Sequence, residues 1–289
     1  MARRRPATTH GVAVVDKPAG VTSHDVVGML RRRFGERQVG HAGTLDPDAT
    51  GVLVVAVGKA TRLLRFVEKT RKGYVGEVVL GSATSTLDSA GDVIATFDMS
   101  AVTLDDARAV VEEHLVGDIE QIPPMVSAIR VDGKRLHELA REGVEVERAP
   151  RSVTIHRFDV VDWVEPGVLR VDVECSPGTY VRTLADDLGR LLGGGAHLRN
   201  LRRTHVGEFT IAEAAPPDEC ELLPVATAVR ALAAVEVDAG TAALVANGRV
   251  LPAWAGDGPW AVFDRAGTLL AVYEPFRAGE AKPSVVLPA

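Results

Sequence analysis

The chain has 289 residues, of which 46% are hydrophobic and 25% charged, with a formal net charge of −6. This length and apolar content suffice for one large domain, or for a large and a small one. The acidic balance argues against a general nucleic-acid coat protein, which would be basic throughout. Basic residues are nevertheless concentrated locally, since residues 62–72, RLLRFVEKTRK, carry five basic groups and one acidic group. A local basic face is compatible with a nucleic-acid substrate.

The cysteines and histidines show neither metal-site nor disulfide spacing. Cys175 and Cys220 are far apart, and the eight histidines form no HxH or HExxH pair. This pattern argues against a structural zinc site and a disulfide framework. The N-terminal segment MARRRPATTHGVAVV has an apolar run of only four residues, which is too short for a signal peptide or a membrane span. We therefore expect a soluble cytoplasmic protein.

Apolar periodicity and turn chemistry predict the secondary structure. In the first half of the chain the predicted elements are a strand at 11–15, a helix capped by Thr22 or Ser23 that ends near Gly35, a strand over VLVVAV at 52–57, a strand at 74–81, two extended pieces around an SAGD turn, and a helix at 103–116 capped by Thr103. The second half predicts a proline break at QIPP, an extended piece, a DG turn and a short helix, strands over VTIHRFDVVDWV and VLRVDVECS, a helix within GTYVRTLADDLGRLLGGG, a connector at 212–226, and two strands joined by a DRAG turn. This irregular order favours a mixed α+β sheet over a doubly wound one.

The helix within GTYVRTLADDLGRLLGGG combines an apolar stripe with one arginine outside it. The stripe consists of Tyr180, Leu184, Leu188 and Leu191. At 100° per residue, Arg182 lies about 200° around the helix from Tyr180. We therefore expect Arg182 to point away from the stripe.

The loop GHAGTLDPDATG at 40–51 places Asp46 and Asp48 among three glycines, just before an apolar strand. These aspartates could belong to an ordinary solvated turn, or one of them could be a positioned nucleophile. LDPDAT fits the DxDxT pattern of haloacid-dehalogenase-like phosphatases, with Asp186 and Asp187 as a downstream acidic pair. That chemistry requires an apolar strand before the first aspartate, whereas VGHAGTL precedes it here. A phosphate loop at GVLVVAVGKAT is excluded because Leu53 occupies the first glycine position of the motif.

The stretch GHAGTLDPDATGVL closely resembles the active-site motif of pseudouridine synthases, specifically those of the TruB family. Further stretches resemble other motifs of that family, in the expected order. They are KPAGVTS (17–23), KGYVGEVVLGSAT (72–84), PPMVSAIRVDGKRLHELAREG (123–143), GTYVRTLADDLG (178–189) and LRRTHVGEF (201–209). The resemblance spans about residues 11–210.

The resemblance implies a pseudouridine-synthase fold, with a mixed, largely antiparallel sheet, flanking helices and a central RNA-binding cleft. The shift of composition in the connector at 212–226 sets the end of the catalytic domain, which is predicted at residues 1–226. Residues 227–289 would form a small β-rich, PUA-like RNA-binding domain, although only the VFDRAGTLLAVYE hairpin supports that match.

The resemblance also implies the reaction, in which the N1–C1′ bond of uridine 55 in the tRNA T loop breaks and the base is rejoined through C5. Asp46 matches the catalytic aspartate, and an arginine at its side, matched by Arg182, would keep it ionised and oriented. Tyr74 matches the aromatic residue that stacks on the target base, and its hydroxyl is a candidate to assist proton removal from C5. The resemblance further implies that the reaction consumes no metal and no other cofactor. The sequence leaves open whether Asp46 attacks C1′, attacks C6 or promotes elimination.

The remaining matches concern RNA binding. His41 matches the residue that fills the space left by the flipped-out uridine, and flipping costs a few kcal/mol. The other implied RNA contacts are Tyr180, Leu201, Lys17 and Arg130. Arg130 stands where many relatives have lysine, while Val126 and His137 replace tyrosines common in the family.

We expect the T arm of tRNA as the partner, with no protein partner, no membrane contact and a monomeric state. An RNA-binding or tRNA-folding protein with secondary catalysis remains an alternative, and an aspartate-nucleophile phosphatase is a more distant one. Asp46→Asn tests the first alternative, because it should abolish isomerisation and leave RNA binding intact. The phosphatase alternative predicts an activity that depends on Mg²⁺ and that EDTA removes.

Overall fold

The computed structural model describes residues 7–127 and 146–287 with their side chains, and the backbone of residues 130, 131, 134 and 135. The described strands are β1 (Gly11–Lys17), β2 (Val39–His41), β3 (Thr50–Val57), β4 (Lys72–Leu80), β5 (Ser82–Thr84), β6 (Val93–Thr96), β7 (Gly117–Gln121), β8 (Arg130–Val131), β9 (Lys134–Arg135), β10 (Arg151–Glu165), β11 (Val168–Cys175), β12 (Ala196–Val206), β13 (Phe209–Thr210), β14 (Ala233–Val237), β15 (Leu251–Pro252), β16 (Trp260–Asp264), β17 (Leu269–Pro275) and β18 (Glu280–Val286). The described α-helices are α1 (Ser23–Arg33), α2 (Leu64–Glu68), α3 (Leu104–His114), α4 (Val181–Leu191) and α5 (Ala239–Ala246). Short 3₁₀ helices cover Gly58–Leu63, Ile211–Glu213 and Val225–Val229.

Capping chemistry fixes where α1 and α3 begin. The Asp25 amide donates to the Thr22 hydroxyl at 3.0 Å, and the Thr22 amide donates to the Asp25 carboxylate at 2.9 Å. Thr103 and Asp106 form the same reciprocal pair at the start of α3. These bonds satisfy amides that every helix start leaves without an intrahelical partner. Both helices therefore start where the sequence predicts, with Thr22 rather than Ser23 as the cap of α1.

The chain divides into two compact units. The first contains Met1–Pro47, Gly51–Lys69 and Val206–Ala289, and the second contains Asp48–Thr50 and Thr70–His205. This division does not fall at residue 226, so the predicted boundary between a catalytic and a C-terminal domain remains a prediction.

In the first unit, β3 pairs antiparallel with both β1 and β2. Side chains of β1 alternate between two cores: Ala13 and Val15 belong to the core that contains α1, whereas Val12 and Val14 belong to the opposite one. Because both faces are covered, these strands are continuously apolar, which explains the runs GVAVV and VLVVAV.

The described C-terminal part of the first unit forms a sheet with strand order β14-β16-β17-β18-β15. β14 is parallel to β16, and the other pairs are antiparallel. Trp260, Tyr273 and Val245 are buried in its core. The predicted pair of strands joined by the DRAG turn is confirmed as β16 and β17, whereas the sequence analysis does not predict β14, β15, β18 or α5.

In the second unit, the described strands form a sheet in the order β12-β4-β11-β10-β7. The pairs from β4 to β7 are antiparallel, and α3 packs against β10 and buries Ala107 and Val111. β6 (Val93–Thr96) confirms the extended piece predicted after the SAGD turn. The piece predicted before it, residues 84–88, is wrong for the most part: β5 ends at Thr84, and the backbone turns at Leu87, which has a positive φ of 63°. The short helix predicted after the DG turn lies outside the described residues. The mixed, largely antiparallel α+β class is confirmed. Among the helices of the described ranges, none combines the length and the apolar composition that a membrane span requires.

Candidate active site

The loop that carries Asp46 connects β2 to β3, and both neighbours of Asp46 are anchored. The Leu45 amide donates to Ser23 Oγ at 2.8 Å, and Ser23 Oγ donates to the Leu45 carbonyl at 3.1 Å. On the other side, Lys17 Nζ donates to the Pro47 carbonyl at 2.8 Å. Asp46 itself is half-buried, whereas Asp48 is exposed. Anchored neighbours restrict the positions that the Asp46 carboxylate can adopt, which favours Asp46 over Asp48 as a positioned group.

The Lys17 side chain connects two segments of the first unit by hydrogen bonds. Its side chain is 0% exposed. Its ammonium donates to the carbonyl oxygens of Pro18, Val21 and Pro47 at 2.8, 2.6 and 2.8 Å. The predicted direct contact of Lys17 with RNA would require an accessible ammonium. The burial indicates instead that Lys17 joins the KPAGVTS segment to the Asp46 loop.

Replacement of Lys17 by methionine should destabilise the protein, because it removes a buried ammonium that donates to the Pro18, Val21 and Pro47 carbonyl oxygens. We expect the free energy of unfolding to fall by about 3 kcal/mol, measured by urea denaturation. Lys69→Met is the control, since Lys69 is exposed, and it should change stability by no more than about 0.5 kcal/mol. Equal free energies of unfolding for Lys17→Met and the wild-type protein would contradict this structural role of Lys17.

His41 ends β2, where it lies opposite Val55 of β3 in the strand register. Its side chain is half-buried. The structure thus brings His41, Asp46 and Lys17 into the first unit. The remaining predicted site residues with described side chains, Tyr74, Tyr180, Arg182 and Leu201, belong to the second unit.

Tyr74 and Leu201 lie on neighbouring strands, β4 and β12. Tyr74 is 7% exposed and pairs with Val173 of β11. Two residues along β4, Gly76 lies next to Leu201, because a Cβ at position 76 would lie 3.5 Å from Leu201 Cδ1, an ordinary van der Waals distance. The two side chains therefore belong to one region of the sheet.

Arg182 is buried in the first turn of α4, with 4% of its surface exposed. Its guanidinium donates to the carbonyl oxygens of Thr86 at 2.8 Å and Val126 at 3.0 Å, and lies 3.4 Å from the Asp88 carboxylate. These contacts fix the guanidinium plane. Arg182 does lie off the apolar stripe of Leu184 and Leu188, but it is enclosed rather than exposed.

Both ends of α4 differ from the helix that the sequence predicts. Leu191, predicted to continue the apolar stripe, is 45% exposed because it is the last helical residue. Tyr180 is the half-buried residue that immediately precedes the helix. For Arg130 the structure describes only the backbone, which pairs with Arg135 in β8 and β9; its predicted contact with RNA stays a prediction.

Ser23 and Asp88 contribute to the site, and the sequence analysis misses both roles. Ser23 is predicted only as an alternative helix cap, but its hydroxyl binds Leu45, 22 residues away. Asp88 is predicted only as part of an extended piece near a turn, but its carboxylate faces Arg182. Both roles depend on contacts between distant segments, and the local sequence around either residue carries no signal for them.

Asp186 and Asp187, the acidic pair considered for a phosphatase, line a cavity of about 400 Å³ in the second unit. Asp186 is 2.8 Å from Arg190. Burial raises the pKa of Asp186 despite this arginine. Burial and the adjacent Asp186 carboxylate raise the pKa of Asp187 to about 6. The raised pKa values mean that both carboxyl groups bind a proton more readily in the folded state than in the unfolded state.

This shift predicts a stability effect that depends on pH. The pKa of Asp187 rises from 3.8 to about 6 on folding, so the folded state binds more protons in this window and stability falls as the pH rises through it. Asp187→Asn should raise the free energy of unfolding by about 2 kcal/mol at a pH of about 7.5 and by no more than about 0.5 kcal/mol at a pH of about 4. Urea titrations at both pH values measure the difference. A gain of equal size at both would contradict the assignment, and Asp257→Asn, at an exposed position, is the control.

Three family models together match most of the chain. TruB family pseudouridylate synthase (N terminal domain) matches residues 31–181, tRNA pseudouridylate synthase B C-terminal domain matches 182–225, and tRNA Pseudouridine synthase II, C terminal, matches 232–288. The tRNA pseudouridine synthase B of Rhodococcus jostii is 46% identical, with 100% of this chain and 98% of the relative covered. That of Symbiobacterium thermophilum is 51% identical, with 84% of this chain and 83% of the relative covered.

A solved structure shares the fold. The crystal structure of a Cbf5-Nop10-Gar1 complex contains a chain with 27% identity and a TM-score of 0.71, and the match covers 93% of this chain and 79% of that one. The first family model includes the Asp46 loop, and the second begins at Arg182. The protein described here therefore belongs to the TruB family of pseudouridylate synthases.

Proposed function

We propose that this protein converts uridine 55 in the T loop of tRNA into pseudouridine. The observation that carries the proposal is the loop of Asp46, which lies within the match to the family's N-terminal domain and is anchored at Leu45 and Pro47. Relatives that share about half of the sequence bear the name tRNA pseudouridine synthase B, which supports tRNA as the substrate.

In the proposed reaction, the N1–C1′ bond breaks, the uracil turns, a C5–C1′ bond forms, the C5 hydrogen leaves as a proton and N1 takes up a proton, so that the product is an isomer of the substrate. Asp46 supplies the carboxylate, which suits covalent catalysis or stabilisation of positive charge at C1′. Arg182 supplies a guanidinium whose orientation is fixed by Thr86, Val126 and Asp88. A fixed cation stabilises a nearby anion without reorganising during the reaction.

The proposed RNA contacts have distinct roles. Tyr74 stacks on the uracil, Tyr180 and Leu201 contact the nucleotide, and His41 fills the space that the flipped base leaves. Base flipping costs a few kcal/mol, and a planar side chain in the vacated space offsets part of that cost. For Lys17 we propose a positioning role, because its ammonium is bonded to three carbonyl groups.

We further infer that the protein acts as a monomer in the cytoplasm, without a metal or a protein partner. The match of this chain to nearly the full length of a relative named as the synthase supports the part of this inference that concerns a protein partner.

Release of tritium from a tRNA transcript labelled at C5 of uridine tests the proposal, because the reaction replaces the C5–H bond. We expect release from the unmodified transcript in the presence of EDTA and no release when uridine 55 is replaced by cytidine. Binding of both transcripts without release would contradict the proposal and favour the RNA-binding alternative. Phosphatase activity that EDTA abolishes would favour the phosphatase.

A further inference from the structure

The N-terminus of helix α4 is held by Gln121, a residue of strand β7. Tyr180 is the N-cap position of this helix, and among the residues that the structure describes its side chain makes no capping hydrogen bond. An N-cap residue usually fixes the helix start with its own side-chain oxygen. Here the Tyr180 amide donates to Gln121 Oε1 at 3.0 Å, and Gln121 Nε2 donates to the Tyr180 carbonyl at 3.3 Å. The amide of Gln121 thus binds both polar groups of the Tyr180 backbone.

Gln121 is placed to do this with little freedom of movement. It is the last residue of β7 and is 2% exposed. Its backbone pairs with Arg151 of β10. A buried amide of this kind cannot exchange its partners for water, so loss of either bond leaves polar groups unsatisfied.

The segment that follows Gln121 holds the arginine two residues after Tyr180. The Val126 carbonyl accepts from the Arg182 guanidinium at 3.0 Å. Pro123 and Pro124 restrict the backbone between Gln121 and Val126. The Pro123 carbonyl also accepts from Arg148 at 3.0 Å. One short, stiff segment therefore contacts both the Tyr180 backbone and the Arg182 side chain.

We propose that Gln121 is a positioning residue for the reaction, which sets the start of α4 and thereby the orientation of Arg182 and the Tyr180 ring. This inference rests on the proposed function, which gives Arg182 and Tyr180 their roles. Because Gln121 fixes the helix start through the Tyr180 backbone, the Tyr180 side chain is not required for capping and can contact the nucleotide. Displacement of a catalytic group by about 1 Å can cost about 100-fold in rate.

The test compares variants in single-turnover release of tritium from labelled tRNA, with tRNA affinity measured separately. Gln121→Met has a similar size and makes neither bond, so we expect the rate constant to fall by about 10- to 100-fold. Gln121→Glu keeps the acceptor for the Tyr180 amide and loses the donor to its carbonyl, so its rate constant should lie between that of the wild-type protein and that of Gln121→Met. The affinity for tRNA should change by no more than about threefold, because Tyr180 is only one of the proposed RNA contacts and the others are unchanged.

Thr154→Val is the matched control, because it also weakens the packing of β7 against β10 but does not change Gln121. The Thr154 hydroxyl of β10 donates to Asp118 of β7 at 2.6 Å, and its loss should lower the melting temperature without changing the rate constant. A Gln121→Met rate equal to that of wild type, or rate losses that follow melting temperature in all variants, would overturn the positioning role. Absence of tritium release by the wild type would instead overturn the proposed function, and this inference with it.

Discussion

Asp46→Asn should abolish pseudouridine formation while leaving tRNA binding intact. Asparagine retains the size of the side chain but loses the negative charge and the nucleophilic oxygen, so we expect a single-turnover rate at least about 10⁴-fold lower. The anchors of the loop involve the Leu45 backbone and the Pro47 carbonyl, which this substitution does not change. The loop should therefore keep its conformation, and the affinity for tRNA should stay within about threefold of wild type.

Asp48→Asn is the matched control, because Asp48 lies two residues away and is exposed. It should leave the rate within about threefold of the wild-type value. If Asp48→Asn were the inactive variant and Asp46→Asn retained activity, the assignment of the catalytic carboxylate would be wrong.

Arg182→Lys should lower the rate by about 100- to 1,000-fold, although the charge is retained. The guanidinium contacts the Thr86 carbonyl, the Val126 carbonyl and the Asp88 carboxylate together. A lysine ammonium lacks the planar, forked geometry that makes such a set of contacts possible. Loss of preorganised hydrogen-bond donors in an active site costs about 10²–10³ in rate.

Two further variants show whether the effect depends on orientation. Arg190→Lys changes an exposed arginine on the same helix and should have a wild-type rate. Asp88→Asn removes the charge that faces Arg182 at 3.4 Å, and we expect an intermediate loss of about tenfold. Rapid-quench measurement of single-turnover rates separates these effects from tRNA binding. Wild-type rates for both Arg182→Lys and Asp88→Asn would contradict a role for the fixed guanidinium.

The catalytic candidates could be predicted from the sequence because each lies in a stretch that resembles a TruB-family motif, and these motifs occur along the chain in the expected order. Asp46 and Arg182 are examples, and the structure adds what holds them. Ser23, Asp88 and Gln121 could not be predicted, because their partners are 22, 94 and 59 positions away in the chain. Hydrogen bonds between distant segments depend on the tertiary fold, which local periodicity does not encode.

Elements with strong local signals can be predicted from the sequence, whereas a polar strand and very short strands cannot. α1 and α3 carry a threonine cap and an aspartate three residues later, which specify the helix start locally. In contrast, β12 contains several arginines and histidines, so its polarity conceals a strand that forms part of the sheet in the second unit. β14, with the sequence AAVEV, is too short to be distinguished by alternation.

The most direct test of the central claim maps the modified nucleotide. An unmodified tRNA transcript is incubated with the purified protein and EDTA, labelled with carbodiimide and analysed by primer extension, with Asp46→Asn in parallel. We predict a stop at uridine 55 with the wild-type protein and none with the variant. Binding of the tRNA by both proteins without a stop at uridine 55 in either would contradict the claim that this protein is the uridine 55 synthase.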